Sequence, residues 1–520
     1  MMRTSQIPAR YLSFAVGLLS LGSETLWIRT YSFQNESIAK AFPFILGVYL
    51  LGIAFGAVVG SQACRNESRL PEILGVSLLL GAGTIFLGPA ILATGLRVKM
   101  PGLDTVHFGL AFTTAFAFSI CFPICHHIGT VVRSGSTGKS MSTVYAANIA
   151  GSVIGPLLVN FGLLQYGSTQ LAFALLGLLA TGISLAIVFT TANRTLKIAG
   201  GVGFLVAFAA VLASAGPTNW FIESFRPAPV RKIVETRQGI AVSYKGNDDG
   251  GDVIFGGNVY DGRTNLDPRI NSNQINRVLV LSALRPNPKR VLVLGLSIGT
   301  WNYLITGFPG VEQIDAVEIN PGYVELIGNY REQQLALADK RVRLVIADGR
   351  KFLRSVPKAN YDLIVINTTF HWRAYVSLLL SREFLTLVQS RMAPGAVLAY
   401  NTTGSPDALR TAADIFRHAY LYDNFVVCSD FDWRAKLNEE SSAGELLGIR
   451  PQGETLFSDT DRELISGFLS REHTATLEEV AARAGRPLEV ITDRNLITEY
   501  KYGRPLFSLG LTTALMRLKP

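Results

Sequence analysis

Cysteine is scarce in this chain: four in 520 residues, at positions 64, 121, 125 and 428. The first three lie in or beside apolar segments, which leaves Cys428 alone in the polar half. One thiol makes no disulfide framework, and no Cys-x-x-Cys or Cys/His cluster offers a zinc site, so no metal is expected. His126 and His127 are adjacent, cannot share one helical face, and read as a helix end. Acids are nearly missing from the first 214 residues, which hold five Asp and Glu against 12 Lys and Arg; the remainder holds 34 against 36. The basic pI of about 9.3 therefore comes mostly from loops between apolar segments. That pattern fits a membrane surface and argues against a nucleic-acid groove.

What the first part has instead is apolar length. Hydrophobic residues make up 48% of the chain and mean hydropathy is +0.29. Seven apolar windows run roughly over 12–32, 41–62, 72–94, 106–128, 143–163, 169–190 and 196–214. Each is near the ~20 residues that cross a hydrocarbon core. The first runs past signal-peptide length and more spans follow at once, so it reads as a retained helix. Gly52, Gly56 and Gly60 recur every four residues, as do Gly151 and Gly155. Such stripes let backbones approach, either in a dimer seam or within one bundle. Glu24 is the one acid well inside a window and should face the bundle interior or a polar cavity, with Asn148 a possible partner. The expected location is the cell inner (plasma) membrane, multi-pass. Loop lysines and arginines favour an inside N-terminus, and seven spans then put the polar half outside, against an intracellular nucleoside cofactor. One span more or fewer reverses that side.

The organisation expected is a helical membrane domain over 1–214, a linker over 215–230, a β-hairpin module over 231–285, an α/β domain over 286–505 and a tail over 506–520. In the hairpin module, IAVSY and DVIFGG alternate, and NDDGG and YDGRTN read as the turns. From residue 290, apolar runs at 291–295, 314–319, 342–347, 361–366 and 396–400 alternate with helical segments that include 321–337, 376–392 and 406–419. That alternation predicts a parallel sheet covered by helices. Phe425–Cys428 and Glu445–Ile449 are candidates to complete it.

The chemistry concentrates at the carboxyl ends of these strands, where ligands bind such sheets. Gly295 and Gly299 close the first, letting backbone approach a ligand. Glu318 closes the second at the spacing of an acid that accepts ribose hydroxyls. Asp348 and Gly349 close the third, Asn367-Thr368-Thr369 the fourth, and Asn401 to Ser405 the fifth. Glu318 and Asp348 could instead cap the helices that follow them.

At these motifs the chain resembles the spermidine synthase family of aminopropyltransferases, in its membrane-fused bacterial form, over about residues 231–505. GLSIGT, with Gly295, Ser297 and Gly299, stands at the family's glycine-rich cofactor loop; VEINP and ADGRKFL match its second and third strands. The resemblance implies an α/β Rossmann-like fold of class I methyltransferase type, fused here to the multi-pass helical part. It implies decarboxylated S-adenosylmethionine as donor, Glu318 on the ribose and Asp348 on the adenine amino group. It also admits a homodimer. The departures are specific. Ile298 stands where the family carries a loop acid, and Asn367 where it carries a basic aspartate; an amide takes no proton at neutral pH. Tyr260, Asp261 and Asp267 replace the family's polyamine-reading residues. His371 is placed to take over as base, with Trp372 to stack on adenine or sulfonium and Arg373 to hold an acidic substrate; the same residues could equally anchor their loop. Asp493 and Glu499 resemble a C-terminal segment that closes over the pocket, or mark a capped turn.

The expected protein is a membrane-bound transferase moving an aminopropyl or related alkyl group from an S-adenosylmethionine-type donor to an amine. Two alternatives stand beside it. One is a methyltransferase using intact S-adenosylmethionine on a lipid or small metabolite. The other is a transporter or sensor that binds a nucleoside without chemistry.

Overall fold

The computed structural model describes residues 9–131, 137–214, 219–246, 248–358 and 360–506; part of the expected linker and all but the first residue of the expected tail lie outside them. Seven of its helices are long and apolar enough to cross a membrane. They are α1 (Ala9–Gln34), α2 (Ala41–Ala63), α3 (Leu70–Arg97), α4 (Leu103–Val131), α5 (Thr137–Leu157), α6 (Thr169–Val188) and α7 (Arg194–Ser214). In α2 the buried positions are Ala41, Ile45, Tyr49, Gly52, Gly56 and Gly60, one stripe at helical spacing. A Cβ added at Gly52, Gly56 or Gly60 would meet the carbonyls of Phe112, Phe116 and Ile120 in α4. Gly151 and Gly155 press likewise on Phe14 and Leu18 of α1. Both glycine stripes are thus spent on packing within this chain. Asn148 donates to the Ser13 carbonyl at 2.9 Å and is not the partner of Glu24.

Beyond the helices comes a four-stranded antiparallel sheet: β1 (Val230–Thr236), β2 (Gly239–Tyr244), β3 (Val253–Gly256) and β4 (Val259–Arg263), in the order β1-β2-β3-β4. Strand β2 is buried on both faces by its two-residue period. Ile240, Val242 and Tyr244 join the core of the helical bundle, while Ala241 joins Leu296, Ile298 and Tyr323 on the other side. The small sheet is therefore a layer between the bundle and the α/β part.

The second sheet has eight strands: β5 (Arg290–Leu294), β6 (Gln313–Glu318), β7 (Val342–Ile346), β8 (Tyr361–Ile366), β9 (Met392–Asn401), β10 (His418–Tyr422), β11 (Phe425–Ser429) and β12 (Thr474–Ala475). Their order is β12-β10-β11-β9-β8-β5-β6-β7. The five strands from β9 to β7 run parallel, and β11 lies antiparallel beside β9. Because β5 is flanked by β6 and β8, the order reverses at β5 and leaves a crevice at its carboxyl end. The register sets Leu294 beside both Val317 and Ile366, which brings Gly295, Glu318 and Asn367 to one level.

Several local expectations are corrected. YDGRTN begins in strand, since Tyr260–Arg263 lies in β4; the turn is the pair Gly257-Asn258, with φ of +55° and +66°. Two successive positive φ values make a tight hairpin turn that matches strand twist. Glu445–Ile449 is not a strand; most of it belongs to the helix Glu440–Leu447. The segment 406–419 is helical only over Pro406–Ala413, and His418 already starts β10, which turns back through Asp423-Asn424 into β11. The other two helical segments each break in two, one around Gly328 and one at Ser381, whose side chain accepts from the Phe384 amide and caps a new helix.

Candidate active site

The loop after β5 is shaped by three residues in the left-handed region: Gly295 at φ +84°, Ser297 at +48° and Gly299 at +81°. At Gly295 a side chain has no room, since a Cβ would lie 2.5 Å from the Asn367 carbonyl oxygen. The loop closes over Glu318. Glu318 Oε2 accepts from the Leu296 amide and Oε1 from the Asn320 amide, both at 2.8 Å. The residue is 4% exposed. Burial pushes its carboxyl up to about 7, against the lowering effect of the amide bonds, and nearby Asp261 adds to the rise. The Ser297 amide bonds to it as well, and since a carboxylate has about four lone-pair sites, three amides leave little acceptor capacity beyond one further hydrogen bond.

The hairpin module roofs this loop. Ser297 Oγ donates to the Asp261 carbonyl at 2.8 Å, and Thr300 Oγ1 donates to the Arg263 carbonyl at 2.9 Å. The Asp261 carboxylate accepts a hydrogen bond from the Tyr323 hydroxyl, and burial raises its pKa. Between roof and strand ends lies a cavity of about 400 Å³. Of the residues singled out from sequence, it brings together Tyr260, Asp261, Ser297 and Asn367. Ile298 also lines it, as do Asn401 and Thr403 from the end of β9.

The remaining candidates sit elsewhere. Gly295 and Gly299 belong to the loop whose residues 296–298 line the cavity but are not in the lining themselves, and Glu318 lies beneath that loop. Asp348 is exposed, at the end of β7, and its side chain accepts from the Lys351 amide at 2.8 Å, capping the helix Gly349–Ser355. His371 touches the cavity only through its neighbours: Phe370 and Thr403 line it, and His371 Nδ1 donates to the Thr403 carbonyl at 3.1 Å. A carbonyl only accepts, so the proton is on Nδ1 and the lone pair on Nε2. Burial lowers the His371 pKa and keeps the ring neutral near pH 7.

Trp372 packs on the helical bundle, and the Arg373 side chain reaches Thr369 and the turn at Gly257. Trp372 lies 4.3 Å from Phe370, centroid to centroid, with the Arg504 guanidinium 3.9 Å above its ring. Arg373 pairs by backbone with Ile38, in the loop between α1 and α2, and its Nη1 donates to Thr369 at 2.9 Å. The Ala374 amide donates to the Ser37 carbonyl, and Arg504 pairs with Glu36. Asp493 forms an ion pair with Arg350 at 2.5 Å and accepts from Ser381 at 2.6 Å; Glu499 is buried and accepts from the Ser377 amide at 2.9 Å. These two acids fasten the C-terminal segment to the α/β part and do not line the cavity.

Sequence reasoning passed over Arg263, Arg277 and Trp301, all in the cavity wall. Arg277 had a signal, a lone cation at the head of the apolar run VLVLSAL.

Residues 277–410 match the model of the spermine/spermidine synthase domain. Over this segment the chain is similar to the spermidine synthase family. Among its relatives, polyamine aminopropyltransferase 2 of Streptomyces coelicolor is 26% identical over 394 residues, 72% of this chain and 69% of the relative. The polyamine aminopropyltransferase of Mycobacterium tuberculosis is 25% identical over 429 residues, 79% and 72% respectively. Both matches are longer than the polar half, so the likeness extends into the helices. Putrescine N-methyltransferase 3 of Nicotiana tabacum is 32% identical over 114 residues, 22% of this chain and 30% of the relative. Among solved structures, the spermidine synthase of Thermotoga maritima is 19% identical at a TM-score of 0.37, covering 46% of this chain and 84% of that one. With these aminopropyltransferase relatives the protein is a transferase, and it carries Asn367 where the resemblance implies an aspartate.

Proposed function

We propose that this chain is a multi-pass inner-membrane transferase that moves an aminopropyl or related alkyl group from an S-adenosylmethionine-type sulfonium to an amine. The observation that carries this reading is Glu318, its carboxylate under the left-handed loop after β5, beside a cavity that opens along the ends of β8 and β9. Glu318 holds the ribose diol and the loop Gly295–Gly299 the adjoining backbone contacts. Asp348, with Gly349, reads the adenine edge. The sulfonium then lies at the β5–β8 junction and the amine in the cavity, oriented by the Asn367 amide and the Tyr260 hydroxyl.

The acceptor's nitrogen lone pair forms the new C–N bond as the C–S bond breaks. The bonding pair stays on sulfur, which becomes a neutral thioether, and the positive charge passes to the new ammonium. That ammonium gives one proton to His371 Nε2, directly or through water. Little covalent assistance is needed, since the donor already carries a good leaving group, and holding the two reactants in line supplies most of the rate. Arg373 acts as a positioning residue that fixes the loop bearing Asn367 and His371 against the bundle.

Intact S-adenosylmethionine as a methyl donor is the second reading, supported by the 32% match to a putrescine N-methyltransferase. The test is turnover by the full chain in lipid nanodiscs, with each donor separately, scoring the thioether nucleoside released. 5′-Methylthioadenosine is expected from the decarboxylated donor; S-adenosylhomocysteine instead would establish methyl transfer. Tight nucleoside binding with neither product, across amines and lipids, would make the chain a non-catalytic binder.

A further inference from the structure

Arg277 is 6% exposed and lines the cavity, yet among the described residues it makes no ion pair. Nε donates to the Gln274 carbonyl at 2.8 Å, Nη1 to Asn424 Oδ1 at 2.5 Å, and Nη2 to the Asn273 carbonyl at 3.2 Å. All three acceptors are neutral, and the one acid that acts on the group, Asp423, forms no ion pair with it and is engaged by Asn276 and His473. A guanidinium has five N–H groups, so one remains on each terminal nitrogen, the fork that receives the two oxygens of a carboxylate. The face of the group is backed by aromatic rings, Phe425 at 4.8 Å and Trp301 at 5.6 Å. A second cation, Arg263, lines the same cavity and likewise makes no ion pair among the described residues. The one acid in the lining is Asp261, already bonded to Tyr323 and close to Arg373.

A buried cation without a direct ion pair is costly, and buried charges are normally paired. A cavity with two unpaired arginines and one engaged carboxylate repels a chain of ammonium groups. We propose that the acceptor is an amine that also carries a carboxylate, and that Arg277, assisted by Arg263, receives that carboxylate. This inference rests on the transferase reading above and narrows its acceptor. The position of Arg277 assigns it to the acceptor rather than to a donor carboxylate. Its partner Asn424 lies in the turn that leads into β11, four strands from β6, which carries Glu318. At about 4.8 Å per strand that is on the order of 19 Å from the ribose end.

The test uses the full chain in lipid nanodiscs and a panel of ω-amino acids of three to six carbons, each set against the α,ω-diamine of equal length. Affinity is measured by calorimetry with 5′-methylthioadenosine present. At least one ω-amino acid should bind about 10-fold or more tightly than its diamine. Arg277→Met should abolish that preference, and Arg277→Lys, which keeps the charge but loses the fork, should reduce it. Should Arg277→Met fail to fold, Arg263→Gln, at a less buried position, carries the test and should weaken ω-amino acid binding severalfold.

A wild type that favours diamines throughout the panel overturns the inference. So do variants whose ω-amino acid affinity is unchanged, and so does an Arg277→Met effect confined to intact over decarboxylated S-adenosylmethionine. If 5′-methylthioadenosine itself does not bind the wild type, the transferase reading fails as well; if it binds and diamines win, only this inference fails.

Discussion

Glu318 has an ordinary acid's identity and an unusual acid's environment. Its folded pKa, raised to about 7 by burial, means the free protein holds a proton there that the unfolded chain releases near 4.5. That contribution to stability is complete below 4.5 and is lost as pH rises through 7. Under the proposed ribose-binding role, ligand binding runs the other way, because the ionised form is the better acceptor for a diol. Affinity for 5′-methylthioadenosine should therefore rise roughly tenfold between pH 6 and pH 8, following the ionised fraction. Calorimetry on Glu318→Gln should show weaker and pH-independent binding. At His371 the expectation is kinetic. His371→Gln should lower turnover about 100-fold while leaving nucleoside affinity intact, the range of a lost general base; full turnover in that variant would assign the residue to holding its loop. Glu318 and Asn367 were legible at this scale because each ends an apolar run. Arg277 was passed over because a single charge in an apolar run reads as a core helix until the fold shows that it borders a cavity.

Elements were legible where their period was long and uninterrupted. The seven apolar windows and the five parallel strands follow directly from hydrophobic patterning. The errors fell at breaks: a two-residue positive-φ turn at Gly257-Asn258, a Ser381 cap inside an apparently continuous helix, and the turn at Asp423-Asn424 that converts a helical-looking tail into β10 and β11. Each depends on one or two residues whose alternatives differ by little free energy locally. The glycine stripes had two readings, and packing against α4 and α1 chose the intramolecular one. Gly56→Ala should accordingly destabilise the bundle by about 1–3 kcal/mol, since its Cβ meets the Phe116 backbone in α4. Gly83→Ala, with nothing within 4 Å, should stay within about 0.5 kcal/mol of the parent. Thermal unfolding in detergent compares the two.

On the scale of the whole molecule, the small sheet is the joint. Glu235 on β1 accepts from the Thr169 amide at 3.0 Å and from Asn219 at 2.5 Å, and lies 3.6 Å from Arg29 of α1. Its side chain is 5% exposed. Glu235→Ala leaves Arg29 unpaired at the base of the bundle and should cost about 3–5 kcal/mol, read as a fall in the melting temperature of the full chain. The same joint reaches the site. The loop after α1 carries Ser37 and Ile38, which pair with Ala374 and Arg373 just beyond His371. The helical half is thus part of the wall that fixes the loop carrying His371, a role that no amount of apolar length in a sequence announces.

Composition and periodicity alone determined the helical first half, the parallel sheet and the acid at the end of its second strand, because burial must follow the repeat of the backbone wherever a residue lies on it. Only the tertiary structure decided which polar groups meet. Asp348, Asp493, Glu499 and Trp372 are engaged in a cap, an ion pair and docking outside the cavity, Arg373 holds Thr369 in its wall, and Arg277 stands in it with no ion pair among the described residues. Such pairings are set by distances between segments far apart in the chain, and the local free energy that shapes each segment carries no record of them.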